Sequence, residues 1–244
     1  LRLRRTSADA TLVIAVEPTL LDKPVAFAEQ NKYAGETLIP QNLRFYVSEP
    51  VLLRAGGERV PADLVDSDGR ALPYNVHLVS LETPETQTLR LAAPAGTYEG
   101  VGFLFGVADG CNGLDPGVQK APLNHASQMT WPHSVGYLFL RYEAQVIPAA
   151  GAPADSSLTP RAIHMGGRVG AIYAPEVVLM GALTASKAAG AAARLRIAVD
   201  QLITGAMMPQ RTPNDLVPPF PEALAGERLR QNLDRVKVFT LAAP

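Results

Sequence analysis

Apolar and polar positions alternate with a period of two along much of the chain, as they do in strands that bury one face. Residues 11–16 are β-branched and apolar and are predicted to end as a strand before Pro18. Leu43, Phe45 and Val47 alternate with Arg44, Tyr46 and Ser48, and Val51 and Leu53 carry the pattern past Pro50. Proline cannot donate to a ladder, so Pro50 predicts an edge strand or a bulge. Val76, Leu78 and Leu81 form another strand, followed by residues 88–91, 98–107 and 136–146. Asp66-Ser67-Asp68-Gly69 and Pro94-Ala95-Gly96 read as turns between them. Later strands are predicted at 161–165, 176–183 and 194–199, after an Ala, Gly, Pro and Ser-rich loop at 149–160. Helical periodicity shows only near the end, as one turn at 200–204 and as a helix over 224–236 with Leu229, Leu233 and Val236 on one face.

About nine or ten short strands predict an all-β fold, an antiparallel β-sandwich with Greek-key-like connections and small helical elements toward the C-terminus. Twenty glycines and 21 prolines in 244 residues support frequent interruption of the chain. No repeat and no clear linker divides it, so residues 1–244 are expected to form one domain.

Charge changes the picture by exclusion. With 22 Lys+Arg against 23 Asp+Glu, the net charge is −1. That balance gives no basic footprint for nucleic acid or anionic lipid. At 47% apolar residues the chain is expected to bury a core rather than remain disordered. No apolar run reaches the roughly 18 residues of a membrane helix. The start, Leu1-Arg2-Leu3-Arg4-Arg5, has neither Met nor an apolar h-region and reads as a processed end from which a signal peptide has gone. A lone Cys111 excludes an intrachain disulfide and a Cys-rich zinc module. Nucleophile elbow, Walker A loop, Rossmann fingerprint, His-Glu-x-x-His and Cys-x-x-Cys are all absent. The expectation is a protein that is not an enzyme.

The unusual stretch is Asn124-His125-Ala126-Ser127-Gln128-Met129-Thr130-Trp131-Pro132-His133. It holds two of the four histidines and the single tryptophan. If 129–133 are extended, Met129, Trp131 and His133 share a side, and Trp131 and His133 have Cα atoms roughly 6.5 Å apart. His164, ahead of Gly166 and Gly167, offers another imidazole, and the glycines allow a sharp turn beside it. Imidazoles with soft or aromatic neighbours suit copper better than magnesium or calcium. A loop histidine is more often a surface or hydrogen-bonded residue than a ligand, a tryptophan such as Trp131 more often a core anchor, and Met129 and Met165 are most simply core gap-fillers.

These residues lie within a pattern that resembles the MbnP-like copper-binding proteins, which include copper-repressible surface proteins of methane oxidisers. The likeness runs in order along most of the chain. It comprises Arg44-Phe45-Tyr46-Val47-Ser48, Pro94-Ala95-Gly96-Thr97-Tyr98 leading to Phe105-Gly106-Val107, and Asn112 and Asp115 with Pro122-Leu123-Asn124. Met129-Thr130-Trp131 with Gly136-Tyr137-Leu138-Phe139-Leu140-Arg141, and then His164-Met165-Gly166, complete it.

The resemblance implies copper held by His133, His164 and Trp131, the tryptophan having been oxidised to kynurenine by a di-haem cytochrome c peroxidase-like (MbnH-type) partner. Indole N–H only donates, so tryptophan must be ring-opened before its nitrogen can ligate. His125 is a spare ligand candidate, and Asn112, Asp115 and Met129 are candidates for the surrounding shell. The implied role is copper acquisition or homeostasis in the periplasm or at the cell surface.

The chain departs from the pattern in three respects. His133 stands where the motif has a second tryptophan, Gly113 replaces a loop histidine, and the cysteines of many relatives are missing. These departures motivate the alternative, a metal-free β-sandwich interaction or adhesion module of the same fold. A copper-dependent oxidase has no supporting motif.

Overall fold

The computed structural model describes residues 8–25, 27–33, 35–131, 136–147, 159–167, 174–187, 191–203, 208–209, 231–233 and 238–244. Two sheets face each other, as the alternation predicts. The first contains β1 (Ala10–Leu20), β2 (Lys23–Pro24), β6 (Asp63–Leu64), β8 (Thr88–Ala93), β13 (Ala191–Ala198) and β15 (Phe239–Ala242), ordered β15-β13-β1-β8-β6 with β2 also on β1. The second is built on the long strand β4 (Glu36–Leu53). With it run β3 (Asn31–Tyr33), β5 (Arg59–Pro61), β7 (Val76–Ser80), β9 (Gly96–Phe105), β10 (Leu138–Ile147), β11 (Thr159–Gly166), β12 (Glu176–Ala185) and β14 (Met208–Pro209). Its path is β12-β9-β4-β10-β11-β14, with β3, β5 and β7 on β4. Among the described residues all strand pairings are antiparallel except β1 with β13. Alternation fixes which face of a strand is buried but not the direction of its neighbour, so the parallel pair had no signal.

The core lies between the sheets. From β1 it takes Leu12, Ile14 and Val16, and from β4 Leu43, Phe45 and Val47. Phe239 on β15 reaches across to Phe103 and Phe105 on β9, with centroids 5.9 and 5.3 Å apart in edge-on geometry, an arrangement that favours aromatic pairs beyond their buried area.

Two proline expectations have different outcomes. Pro50 sits at a bulge of β4, where the register with β9 shifts between Ser48 and Val51 and Glu49 takes φ +47°. The strand continues through it, in the middle of the sheet. Pro18, by contrast, does not end β1. The pairing with β8 stops at Ala15, and the Pro18 carbonyl accepts from the Val25 N–H on that side, so no ladder donor is lost there.

Among the described residues, helix is confined to α1 (Asp109–Asn112), α2 (Val199–Ile203), residues 231–233 and four 3₁₀ turns. The turn expected at 200–204 is α2; most of 224–236 and of the loop 149–160 lies outside the described residues. Helical turns also occur mid-chain, in the connection from β9 to β10, and not only toward the C-terminus. No helix among the described residues is long and apolar enough to cross a membrane.

Candidate metal centre

In the connection between β9 and β10, residues 106–131 and 136–137 fold over the outer face of β4, β10 and β11 as a cap. Polar side chains of that face hold it. Ser48 donates to the Gly106 carbonyl at 2.8 Å, and Tyr46 donates to the Pro122 carbonyl at 2.8 Å. Arg44 reaches the Ser127 carbonyl and the Gln128 side chain, both at 3.1 Å, and Arg141 reaches the Gln128 carbonyl at 3.1 Å. Beneath the cap Tyr46, Leu123, Met129 and Tyr137 are fully buried, so both faces of β4 are dry at this point. Tyr46 and Tyr137 meet edge-on with centroids 6.3 Å apart.

The Tyr137 hydroxyl lies 2.8 Å from the Leu123 carbonyl and 3.2 Å from that of Leu114, one proton serving two acceptors. Burial, followed by Tyr74 and Asp115 nearby, pushes this phenol up to about 12. Burial likewise raises the Tyr46 phenol.

Thr130 bridges to Tyr137, and Leu138 N–H donates to the Met129 carbonyl at 2.8 Å. This brings residues 129–131 alongside the start of β10. Met129 is in the core, whereas Trp131 packs partly buried against it. The indole lies over Gly166: a Cβ there would stand 2.9 Å from Trp131 Nε1 and would strike the Tyr137 carbonyl. Nε1 is itself buried and donates to nothing. A buried donor left unpaired costs about 1–3 kcal/mol, a cost that an ordinary core tryptophan avoids.

His164 lies two residues before Gly166 on the same face of β11, paired in register with Arg141 of β10, which in turn pairs with Arg44 of β4. It is about one-third exposed. Its Nε2 is 2.8 Å from Glu143 Oε1. Arg141 grips the same carboxylate from the other side, with Nε to Oε1 at 2.9 Å and Nη2 to Oε2 at 3.1 Å. The hydrogen bond from His164, and then the Arg141 fork, bring the Glu143 carboxyl down to about 2. Of the three proposed ligands, His164 and Trp131 come to one patch of the sheet, while His133 lies outside the described residues. Among the described residues no group of three His, Cys, Asp or Glu forms a metal cluster.

Of the candidates for the surrounding shell, Asn112 is buried, and its amide clasps two backbone groups: Nδ2 donates to the Gly167 carbonyl at 3.0 Å and Oδ1 accepts from Tyr137 N–H at 2.9 Å. Asp115 is exposed and accepts from Gly117 N–H at 2.8 Å, closing its own turn. Met129 fills core. His125 is exposed on the 3₁₀ turn 125–127. Cys111 is a half-buried free thiol, raised first by burial and then by Glu49. The fourth histidine, His77, lies elsewhere, on β7, with Nε2 donating to the Thr86 carbonyl at 2.8 Å.

Of the residues that build the patch, Gln128, Tyr137 and Arg141 stand in the quoted motifs without a role of their own, and Glu143 stands outside them. On a strand, Arg141-x-Glu143 reads as an ordinary solvent-facing alternation. Only the pairing of β10 with β11 puts it beside His164.

Comparison with known proteins agrees with this architecture. No curated protein matches the chain. Among solved structures it is similar to MbnP from Methylosinus trichosporium, with 20% identity over 80% of this chain and 77% of that one and a TM-score of 0.52. At that identity the likeness bears on the fold alone. The MbnP family profile matches residues 9–216, most of the chain. The chain belongs to the MbnP family.

Proposed function

We propose that this protein is an exported, non-catalytic copper-binding protein of the periplasm or cell surface, serving copper acquisition or homeostasis. His133 and His164 supply imidazole nitrogens, and Trp131, once converted to kynurenine by a di-haem peroxidase-like partner, supplies the third donor. The observation that carries the reading is the placement of Trp131: its nitrogen is buried, unpaired and laid across Gly166, two residues from His164 on one face of β11.

The donor chemistry fits. Oxidative cleavage of the indole C2–C3 bond would insert two oxygen atoms, two molecules of hydrogen peroxide being the oxidant and two of water the reduced product. Hydrolysis then releases C2 as formate. The former ring nitrogen is left as an aryl amine, whose lone pair can ligate where the indole N–H could only donate. Two neutral imidazoles and an amine suit a soft monovalent copper ion better than a hard cation. The cap covers the outer face at this point, and Gly166, lacking a side chain, leaves room for the ring.

Mass spectrometry of the protein expressed with and without a di-haem partner tests the modification, through the exchange of one carbon for one oxygen at Trp131. Cu(I) titration tests the site: His133→Ala and His164→Ala should each abolish tight binding. A protein that binds no Cu(I) even after exposure to the active partner would leave the metal-free interaction module as the better reading, whereas undiminished binding in both variants, or an unaltered Trp131, would overturn this ligand set.

A further inference from the structure

The histidine on β11 has two chemically different nitrogens, and its surroundings distinguish them. Glu143 lies in the register row of Ala162, two residues before His164, while Trp131 covers Gly166, two residues after it. His164 therefore stands between a carboxylate on one side and the indole on the other, along one face of one strand. Both Glu143 oxygens already face the Arg141 fork, so this is an acceptor-only carboxylate. Its 2.8 Å contact with His164 Nε2 makes that nitrogen the donor. In a neutral imidazole the lone pair then falls on Nδ1, at the ring edge opposite the Glu143 bond.

We propose that Glu143 is a positioning residue that fixes His164 in its Nε2–H tautomer and so leaves Nδ1 as the metal donor. This rests on the copper reading above and adds to it which atom ligates and which residue selects it. Arg141 completes the device: tied to the Gln128 carbonyl of the cap as well as to Glu143, it links the ring's orientation to the layer that carries Trp131. Carboxylates that hold a ligating histidine by its far nitrogen are a general feature of metal sites, and losing one typically costs 10–100-fold in affinity.

The test uses the full chain with ¹⁵N-labelled histidine after exposure to the active di-haem partner, the His164 signals being identified by their loss in His164→Ala. In the metal-free wild type His164 should show the Nε2–H tautomer, and Cu(I) should shift its Nδ1 resonance. Glu143→Ala should mix the tautomers and weaken Cu(I) binding, measured by chelator competition, by about 10–100-fold. Glu143→Gln, whose amide oxygen still accepts, should restore most of both. The Glu143→Gln result and the metal-free wild-type spectrum decide the matter even if Glu143→Ala does not fold.

An Nδ1–H tautomer in the wild type, ligation through Nε2, or unchanged affinity in a folded Glu143→Ala protein would each overturn the role of Glu143 while leaving copper binding intact. A wild type that binds no Cu(I), or a His164→Ala variant that binds as tightly, would overturn the copper reading and this inference together.

Discussion

Trp131 Nε1 lies 2.9 Å from the point where a Cβ on Gly166 would stand. Gly166 does not have a left-handed backbone, so its side is bare for steric reasons alone. Gly166→Ala should push the indole off β11 and strain the strand against the Tyr137 carbonyl, costing about 1–3 kcal/mol, the usual penalty for overpacking. The chain has one tryptophan, so its fluorescence reports directly. A red-shifted emission together with a lower urea midpoint is expected, and an unchanged spectrum would contradict the contact.

Asn112 ties α1 to the start of β10 and the end of β11 through two backbone groups. Asn112→Ala leaves a buried N–H and a buried carbonyl without partners, so a loss of about 2–4 kcal/mol is expected. Asn112→Asp keeps the acceptor for Tyr137 N–H but places a buried carboxylate against the Gly167 carbonyl, and should be no better than Ala. Denaturant unfolding of the three proteins checks the order.

Acid and alkali should weaken the fold through different residues. Burial lowers the His77 imidazole below its ordinary value, so the folded chain resists a proton that the unfolded chain accepts. Stability is then full above about pH 6.5 and declines as pH falls from there toward the depressed folded value. Tyr137 works in the opposite direction. Its phenol, raised to about 12, stays protonated in the fold while the unfolded chain ionises near pH 10, so stability falls between about pH 10 and 12. His77→Asn should remove the part of the acid limb that begins near pH 6.5, leaving the loss at lower pH that Glu143 brings, and Tyr137→Phe should lessen the alkaline limb, which the buried Tyr46 phenol shares, read from urea midpoints across pH.

Glu49 carries positive φ at the bulge beside Pro50. Side chains other than glycine or asparagine are strained there by about 1–2 kcal/mol, and β-branched ones most of all. Glu49→Gly is expected to match or exceed the parent in stability, while Glu49→Val should fall below Glu49→Gly by about 1–2 kcal/mol. Equal melting temperatures would mean the bulge opens at little cost.

The strands were easy to read because each buries one face: Leu12, Ile14 and Val16 announce β1, and Phe45 and Val47 announce β4. What alternation does not encode is which strand lies beside which, and so the parallel β1–β13 pair and the row Arg44–Arg141–His164 emerge only in three dimensions. The patch shared by Trp131 and His164 was legible through the order of short motifs. Its supporting groups were not. Glu143 is 21 residues from His164 and looks like any outward carboxylate. Asn112 suggested a ring partner because an amide can serve either a side chain or the backbone, and here it serves the backbone.

The cap over β4, β10 and β11 is a third layer, joined to the sheet by phenols and guanidinium groups and by the buried side chains of Leu123 and Met129, which are continuous with the core. Its indole, only partly buried, stands at the margin of that apolar mass and not within it. On the reading proposed above, whatever opens the ring would meet it on the outer side of the sheet, away from the space between the two sheets.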